Sequence, residues 1–210
     1  MENLLASFFG NHDYLFIRQA KEWLEIFTGL EGANKYEVLT KGGQRVGLIT
    51  EESGFFWRLI TRWVLKSRRP MKVSIMDNDG KLLLKLKRPF YFFFSDLKIM
   101  DGTDKERGVV NQRFSIINKK YTIKNSKGEN VFTIKSPFWR IWTFKIKNKE
   151  GDEVGRISKK WGGVLREFFT DADQFGVEFN SSEILENKIL LFSAAVSIDL
   201  DYFEENQPNN

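Results

Sequence analysis

An all-β domain wrapped around one buried helix is the fold that this 210-residue sequence predicts, and three observations predict it. The first is a repeat: an apolar residue, another two later, a glycine seven after the first, and an apolar residue three beyond that glycine. Its copies are Tyr36/Val38/Gly43/Val46, Val73/Ile75/Gly80/Leu83, Tyr121/Ile123/Gly128/Val131 and Phe144/Ile146/Gly151/Val154. Period-two alternation on both sides of a turn such as Asn78-Asp79-Gly80 is the signature of a β-hairpin, so four copies give eight strands. The second is that two copies stay in step to their ends, at Arg88-Pro89-Phe90 and Ser136-Pro137-Phe138, which marks duplicated antiparallel units. The third is the stretch from Glu183 to Ile198, where apolar residues lie on nearly every side of a helix, as they do when a helix is buried.

Along the chain, residues 1–13 form an N-terminal extension. Met1 to Phe9 lacks the basic start and small-residue cleavage site of a secretory signal, so a cytoplasmic location is expected. Tyr14 to Ile17, Val109 to Ile117 and Phe175 to Phe179 add strands to the four hairpins. A sheet of this size must close or fold over to protect its edges. Asn180, Ser181 or Ser182 offers an N-cap for a helix over about 183–199, with Glu183 in its first turn. That helix is too short to cross a bilayer comfortably, and the inside of the closed sheet is its simplest home. Ser193 and Ser197 are expected to bond back to helix carbonyls there. No Gly/Ser or Pro linker divides the chain, so residues 14–204 are expected to form a single domain, followed by a flexible tail at 205–210.

With no cysteine, the sequence excludes a disulfide framework, thiolate metal sites, a cysteine nucleophile and an S-acyl anchor. The lone histidine, His12, near a terminus expected to be loose, leaves Ser-His catalysis without a base. Phosphate-binding glycine loops and nucleophile elbows are missing, so no covalent chemistry and no organic cofactor are expected. The net charge of +5 conceals an asymmetry: residues 35–170 carry 30 basic and 14 acidic side chains, while both ends are acidic. Such a field favours an anionic partner, a lipid surface or nucleic acid.

The segment Gly155-Arg-Ile-Ser-Lys-Lys-Trp-Gly-Gly-Val-Leu-Arg-Glu-Phe-Phe-Thr-Asp-Ala-Asp-Gln-Phe-Gly-Val-Glu-Phe179 resembles the signature of the phospholipid scramblase family. Glu22-Trp-Leu-Glu-Ile-Phe-Thr-Gly29, Asn34-Lys-Tyr-Glu37 and Gly43-Gln-Arg-Val46 resemble its N-terminal block, and the likeness runs from about Tyr14 to Glu204. The resemblance implies a Tubby-like fold, a closed antiparallel barrel of about twelve strands around a hydrophobic C-terminal helix. It also implies association with the inner face of a membrane, calcium binding, and calcium-stimulated movement of phospholipid between leaflets.

The acidic segment implied to bind calcium carries Asp171, Asp173 and Glu178 as candidate ligands. Read as an EF-hand loop it lacks half its shell: Phe175 stands at position 5, and Ser182 stands at position 12, where a bidentate Glu belongs. Any calcium bound there is expected to be held weakly. The alternation Phe175, Val177, Phe179 also fits a strand with one buried face.

Three aromatic clusters are the candidate membrane contacts. They are Phe55, Phe56, Trp57, Arg58, Arg62 and Trp63; then Phe90, Tyr91, Phe92, Phe93 and Phe94; then Phe138, Trp139 and Trp142. Animal scramblases resembling this chain carry palmitoylated cysteine runs in the corresponding places, and bare aromatics are an alternative anchor, since Trp and Tyr favour the head-group level. The other reading makes all three clusters core strands. Against the expected partner, an anionic phospholipid membrane, stands a nucleic-acid reading that uses Arg156, Lys159, Lys160 and Trp161.

Overall fold

The computed structural model describes residues 1–10, 12–20, 35–51, 70–90, 95–114, 118–137, 143–159, 174–180 and 182–206. A short helix, α1 (Glu2–Phe9), precedes twelve strands: β1 (Tyr14–Gln19), β2 (Lys35–Thr40), β3 (Arg45–Glu51), β4 (Met71–Asp77), β5 (Leu82–Arg88), β6 (Ser95–Asp101), β7 (Glu106–Phe114), β8 (Asn118–Asn125), β9 (Asn130–Pro137), β10 (Thr143–Lys147), β11 (Glu153–Ser158) and β12 (Gln174–Phe179). A helix that we label α2 (Leu185–Asn206) ends the fold. Each strand pairs antiparallel with the next, and β1 pairs with β12, so the sheet closes into a barrel without free edges.

The four expected hairpins are β2–β3, β4–β5, β8–β9 and β10–β11, and a fifth, β6–β7, is built the same way. In each the register slips by one residue at the same place, at Val38/Leu39, Ile75/Met76, Ile99/Met100, Ile123/Lys124 and Ile146/Lys147. The device is a three-residue turn closed by a bulge whose last residue is left-handed. Gly80 takes that conformation at φ 77°, whereas in the fifth hairpin Asp104 takes it at φ 64°. In the four turns other than β2–β3, which starts at Thr40, a carboxylate or amide at the turn's start holds it: Asp77 Oδ1 accepts from the Asp79 and Lys81 N–H groups at 3.0 and 2.8 Å. Asp101 accepts likewise from Thr103 and Lys105 at 2.9 and 3.2 Å. Because Asp104 stands where the other copies have glycine, the glycine-based repeat does not show this hairpin.

All five tight turns lie at one end of the barrel, hereafter the turn end. Strand ends Glu51, Met71, Arg88, Ser95, Pro137 and Thr143 lie at the other, the open rim.

Helix α2 enters at the turn end and runs inside the barrel, with Ile189 through Ile198 all buried. It is offset from the expected range, beginning two residues later and extending to Asn206. Asn180 does not cap it directly. Its Oδ1 accepts from the Ser182 N–H and hydroxyl, and the first helical bond runs from the Lys188 N–H to the Ile184 carbonyl.

The expectation for Ser193 is corrected: its hydroxyl is fully buried and has no hydrogen-bond partner among the described residues. An unpaired buried hydroxyl costs on the order of 1 kcal/mol, and alanine is the better helix former. Ser193→Ala is therefore expected to raise stability by about 1 kcal/mol in urea denaturation. A loss of stability instead would show that the hydroxyl carries a bond.

The expected loose N-terminus is also corrected. Leu5, Phe8 and Phe9 of α1 are buried, and the rings of Phe9 and Phe8 meet Phe192 of α2 edge-on at 5.4 and 6.2 Å. Both helices press close to the wall. A Cβ at Gly47 would fall 2.6 Å from Phe8 Cε2, and one at Gly108 would fall 2.6 Å from Leu190 Cδ2.

Charge fastens the same end. Arg107, 5% exposed, donates to Asp101 at 3.1 Å, to Glu186 of α2 at 3.1 Å, and to Glu2 of α1. Burial pushes the Asp101 carboxyl up, but its bonds to Thr103 and Lys105 and the Arg107 guanidinium outweigh that and hold it below the usual carboxylate range. Lys188 Nζ donates to the Gly10 and His12 carbonyls at 3.2 and 3.0 Å, and lies 5.9 Å from the centre of the Phe179 ring. Burial first, and the Lys188 charge second, lower the pKa of the His12 imidazole.

Candidate functional site

The chain segments carrying the three aromatic clusters leave from and return to the open rim. Glu51 and Met71 bracket the first, Arg88 and Ser95 the second, and Pro137 and Thr143 the third. This follows from strand order alone, since every second connection of an up-and-down barrel falls at the same end. Phe90 is the one cluster residue within the described chain, and it is 36% exposed, which is unusual for so large an apolar ring. Phe55, Phe56, Trp57, Arg58, Arg62, Trp63, Tyr91, Phe92, Phe93, Phe94, Phe138, Trp139 and Trp142 lie outside the described residues, as do Asp171, Asp173, Lys160 and Trp161.

Glu178 points outward from β12 and is already engaged by both oxygens. Tyr14 Oη donates to Oε1 at 2.6 Å and Arg156 Nη2 to Oε2 at 2.5 Å. The bond to Glu178 raises the Tyr14 pKa. Among the described residues no group of three or more His, Cys, Asp or Glu is arranged to hold a metal. Of the three candidate calcium ligands, Glu178 is the one within the described residues.

Lys159, expected to meet nucleic acid, turns into the barrel instead, its side chain 9% exposed with Nζ 3.6 Å from Asp199 of α2. Period two explains it: Ile157 faces inward, and so does the residue two beyond. Arg156 faces outward and is spent on Glu178.

The family model for Scramblase matches residues 3–205, nearly the whole barrel together with both helices. The chain belongs to the scramblase family. Human phospholipid scramblase 1 is 34% identical over 205 residues, covering 91% of this chain and 63% of that protein. Mouse phospholipid scramblase 1 is 32% identical, with 91% and 61% covered, and human phospholipid scramblase 2 is 33% identical, with 91% and 68% covered. This scramblase-family chain thus spans about three fifths of the length of the two scramblase 1 proteins. No solved structure matches it. Among its described residues no helix is long and apolar enough to cross a membrane.

The wall above the open rim holds residues that sequence reasoning counted only as general charge. Lys72 faces Lys87, which faces Lys98, across β4, β5 and β6. Lys120 faces Lys135, which faces Lys145, across β8, β9 and β10. Alternating lysines were visible in each strand, but their alignment depends on register, which a slip of one residue would destroy.

Proposed function

We propose that this chain is a phospholipid-binding, scramblase-type protein. It docks peripherally on an anionic phospholipid surface through the aromatic segments 55–63, 90–94 and 138–142. What supports this reading most is that the strand ends bracketing all three segments share one rim of a barrel belonging to a family whose relatives are named for phospholipid. Among the described residues the barrel interior is filled by α2 and the inward side chains, which leave no head-group path between them. Movement of lipid between leaflets, the activity named in the relatives, would proceed over the outer surface of the chain and at its contact with the bilayer.

Fully burying an aromatic side chain contributes about 1.5–3 kcal/mol, and roughly half of that is realised in shallow interfacial insertion. Replacing Phe92, Phe93 and Trp139 with serine is therefore expected to weaken vesicle binding about 100-fold while leaving the thermal melt nearly unchanged. Co-sedimentation with neutral and phosphatidylserine-containing vesicles, with and without calcium, together with a fluorescent-lipid flip assay, tests it. Because Glu178 is committed to Tyr14 and Arg156, calcium is expected to change binding little. Collapse of the melt in the triple variant would make the rings core residues, and unchanged binding would remove them from the contact.

A further inference from the structure

We propose that the ladder Lys120–Lys135–Lys145 on the outer wall of β8, β9 and β10 is a second contact with the anionic phospholipid surface. Through it the barrel rests tilted onto that wall instead of standing upright on its rim. The proposal rests on the rim contact argued above and adds to it a charged contact and an orientation.

Three observations carry it. Lys120 and Lys135 stand directly opposite one another, as do Lys135 and Lys145, with about 4.8 Å between neighbouring strands. Like charges so placed repel, and among the described residues neither Lys120 nor Lys135 has an ion-pair partner, whereas Lys145 is relieved by Glu153 at 2.6 Å. The free protein tolerates a repulsion that an anionic surface would turn into attraction.

Each lysine also sits two residues in from the open-rim end of its strand, at Asn118, Pro137 and Thr143. At about 3.4 Å per residue the three positions lie roughly 7 Å above the rim. That is within the screening length of about 8 Å at physiological salt, so a surface touching the rim is felt by all three.

Among the described residues the other ladder is more fully compensated, two of its three lysines having a carboxylate within 4 Å against one of three here, which gives the tilt its direction. The matching ladder on β4–β6 is offset by Asp104, 3.8 Å from Lys87, and Glu106, 3.7 Å from Lys98. On the far side, Glu37 takes Arg18 at 2.7 Å and Glu178 takes Arg156 at 2.5 Å. Nucleic acid is the weaker partner, because Lys159 is turned inward and Arg156 is already paired.

The test is binding of the full chain to phosphatidylcholine vesicles with and without phosphatidylserine as salt is raised. The variant carries Lys120→Gln, Lys135→Gln and Lys145→Gln. Each lysine near such a surface is worth on the order of 5-fold, so the triple variant is expected to lose roughly 100-fold for the phosphatidylserine vesicles at low salt and most of its salt dependence. Lys→Arg at the same positions is expected to keep both. Since the chain has no native cysteine, a single fluorophore at Thr133→Cys, on the ladder's wall, can be compared with one at Leu48→Cys on β3. Spin-labelled head groups are expected to quench the first and spare the second. Wild-type binding by the glutamine variant, or equal quenching at both positions, overturns the proposal while leaving the rim contact standing. A wild-type chain that ignores vesicles but binds single-stranded nucleic acid through these lysines overturns it too. Unchanged binding by the serine rim variant, with the salt-dependent part intact, would overturn the rim reading alone.

Discussion

Arg107→Ala is expected to destabilise the protein by about 3–5 kcal/mol, the cost of leaving a buried carboxylate without its partner. The side chain is 6% exposed and joins three parts of the fold, reaching Asp101 at the end of β6, Glu186 on α2 and Glu2 on α1. Lysine keeps the charge but concentrates it on one nitrogen, where Arg107 uses Nε, Nη1 and Nη2 for three separate carboxylates, so Arg107→Lys is expected to recover only part of the loss.

The penalty should depend on pH, with a definite sign. Asp101 has its pKa held down in the folded state, so the stability it contributes is complete above its unfolded value, near pH 4, and is lost as the pH falls through the folded one. Glu186 has its pKa raised, chiefly by burial, with Arg107 pulling the other way, so its ionised form is disfavoured in the fold and its cost disappears as the pH falls. Without Arg107 both carboxyls take up protons more readily. The gap between wild type and Arg107→Ala in urea denaturation should therefore be widest at pH 8 and narrower at pH 5. A gap of constant size would mean that the side chain serves only by its bulk.

Phe192→Ala is expected to cost about 3–5 kcal/mol, through lost burial and the cavity left behind. The ring is wholly buried and meets both Phe8 and Phe9 of α1, at 6.2 and 5.4 Å. Walls of twelve paired strands cannot collapse inward to refill such a gap, so the upper half of the range applies. Phe192→Leu keeps much of the volume and should cost less than half as much. Since Phe9 leans on the same ring, Phe9→Ala and Phe192→Ala should be less than additive when combined. Hydrogen exchange over Glu2–Phe9 should quicken in the Phe192→Ala variant. Full additivity with α1 unchanged would show that the helix is held by charge alone.

Local chemistry made most of the barrel legible. Asp77, Asn125 and Asn148 at the turn starts, with Gly80, Gly128 and Gly151 at the left-handed position, act within five residues, so three hairpins can be read directly from the chain, and Gly43 marks a fourth. The fifth was hidden by two substitutions, Asp104 for the glycine and Arg107 for the apolar residue three beyond it, although Asp101 at its start carried the same signal. Helix α2 was equally plain, because a helix apolar on all sides has few places to go.

The sequence by itself determined the hairpins, the buried helix, the missing thiol and imidazole chemistry, and the scramblase resemblance, all of which depend on residues near one another or on composition. Only the tertiary structure decided the rest. Leu5, Phe8 and Phe9 have helical spacing, yet eight residues are too few to hold a helix in water without packing, and their partner Phe192 lies at the other end of the chain. Arg107 finds Glu2 and Glu186 at separations of 105 and 79 residues, which no local pattern records. Lys159 faces Asp199, and Lys120, Lys135 and Lys145 stand in line, because closing the barrel fixes the facing and register of every strand together. A charge read from sequence has a sign; its direction and its neighbours come from that closure.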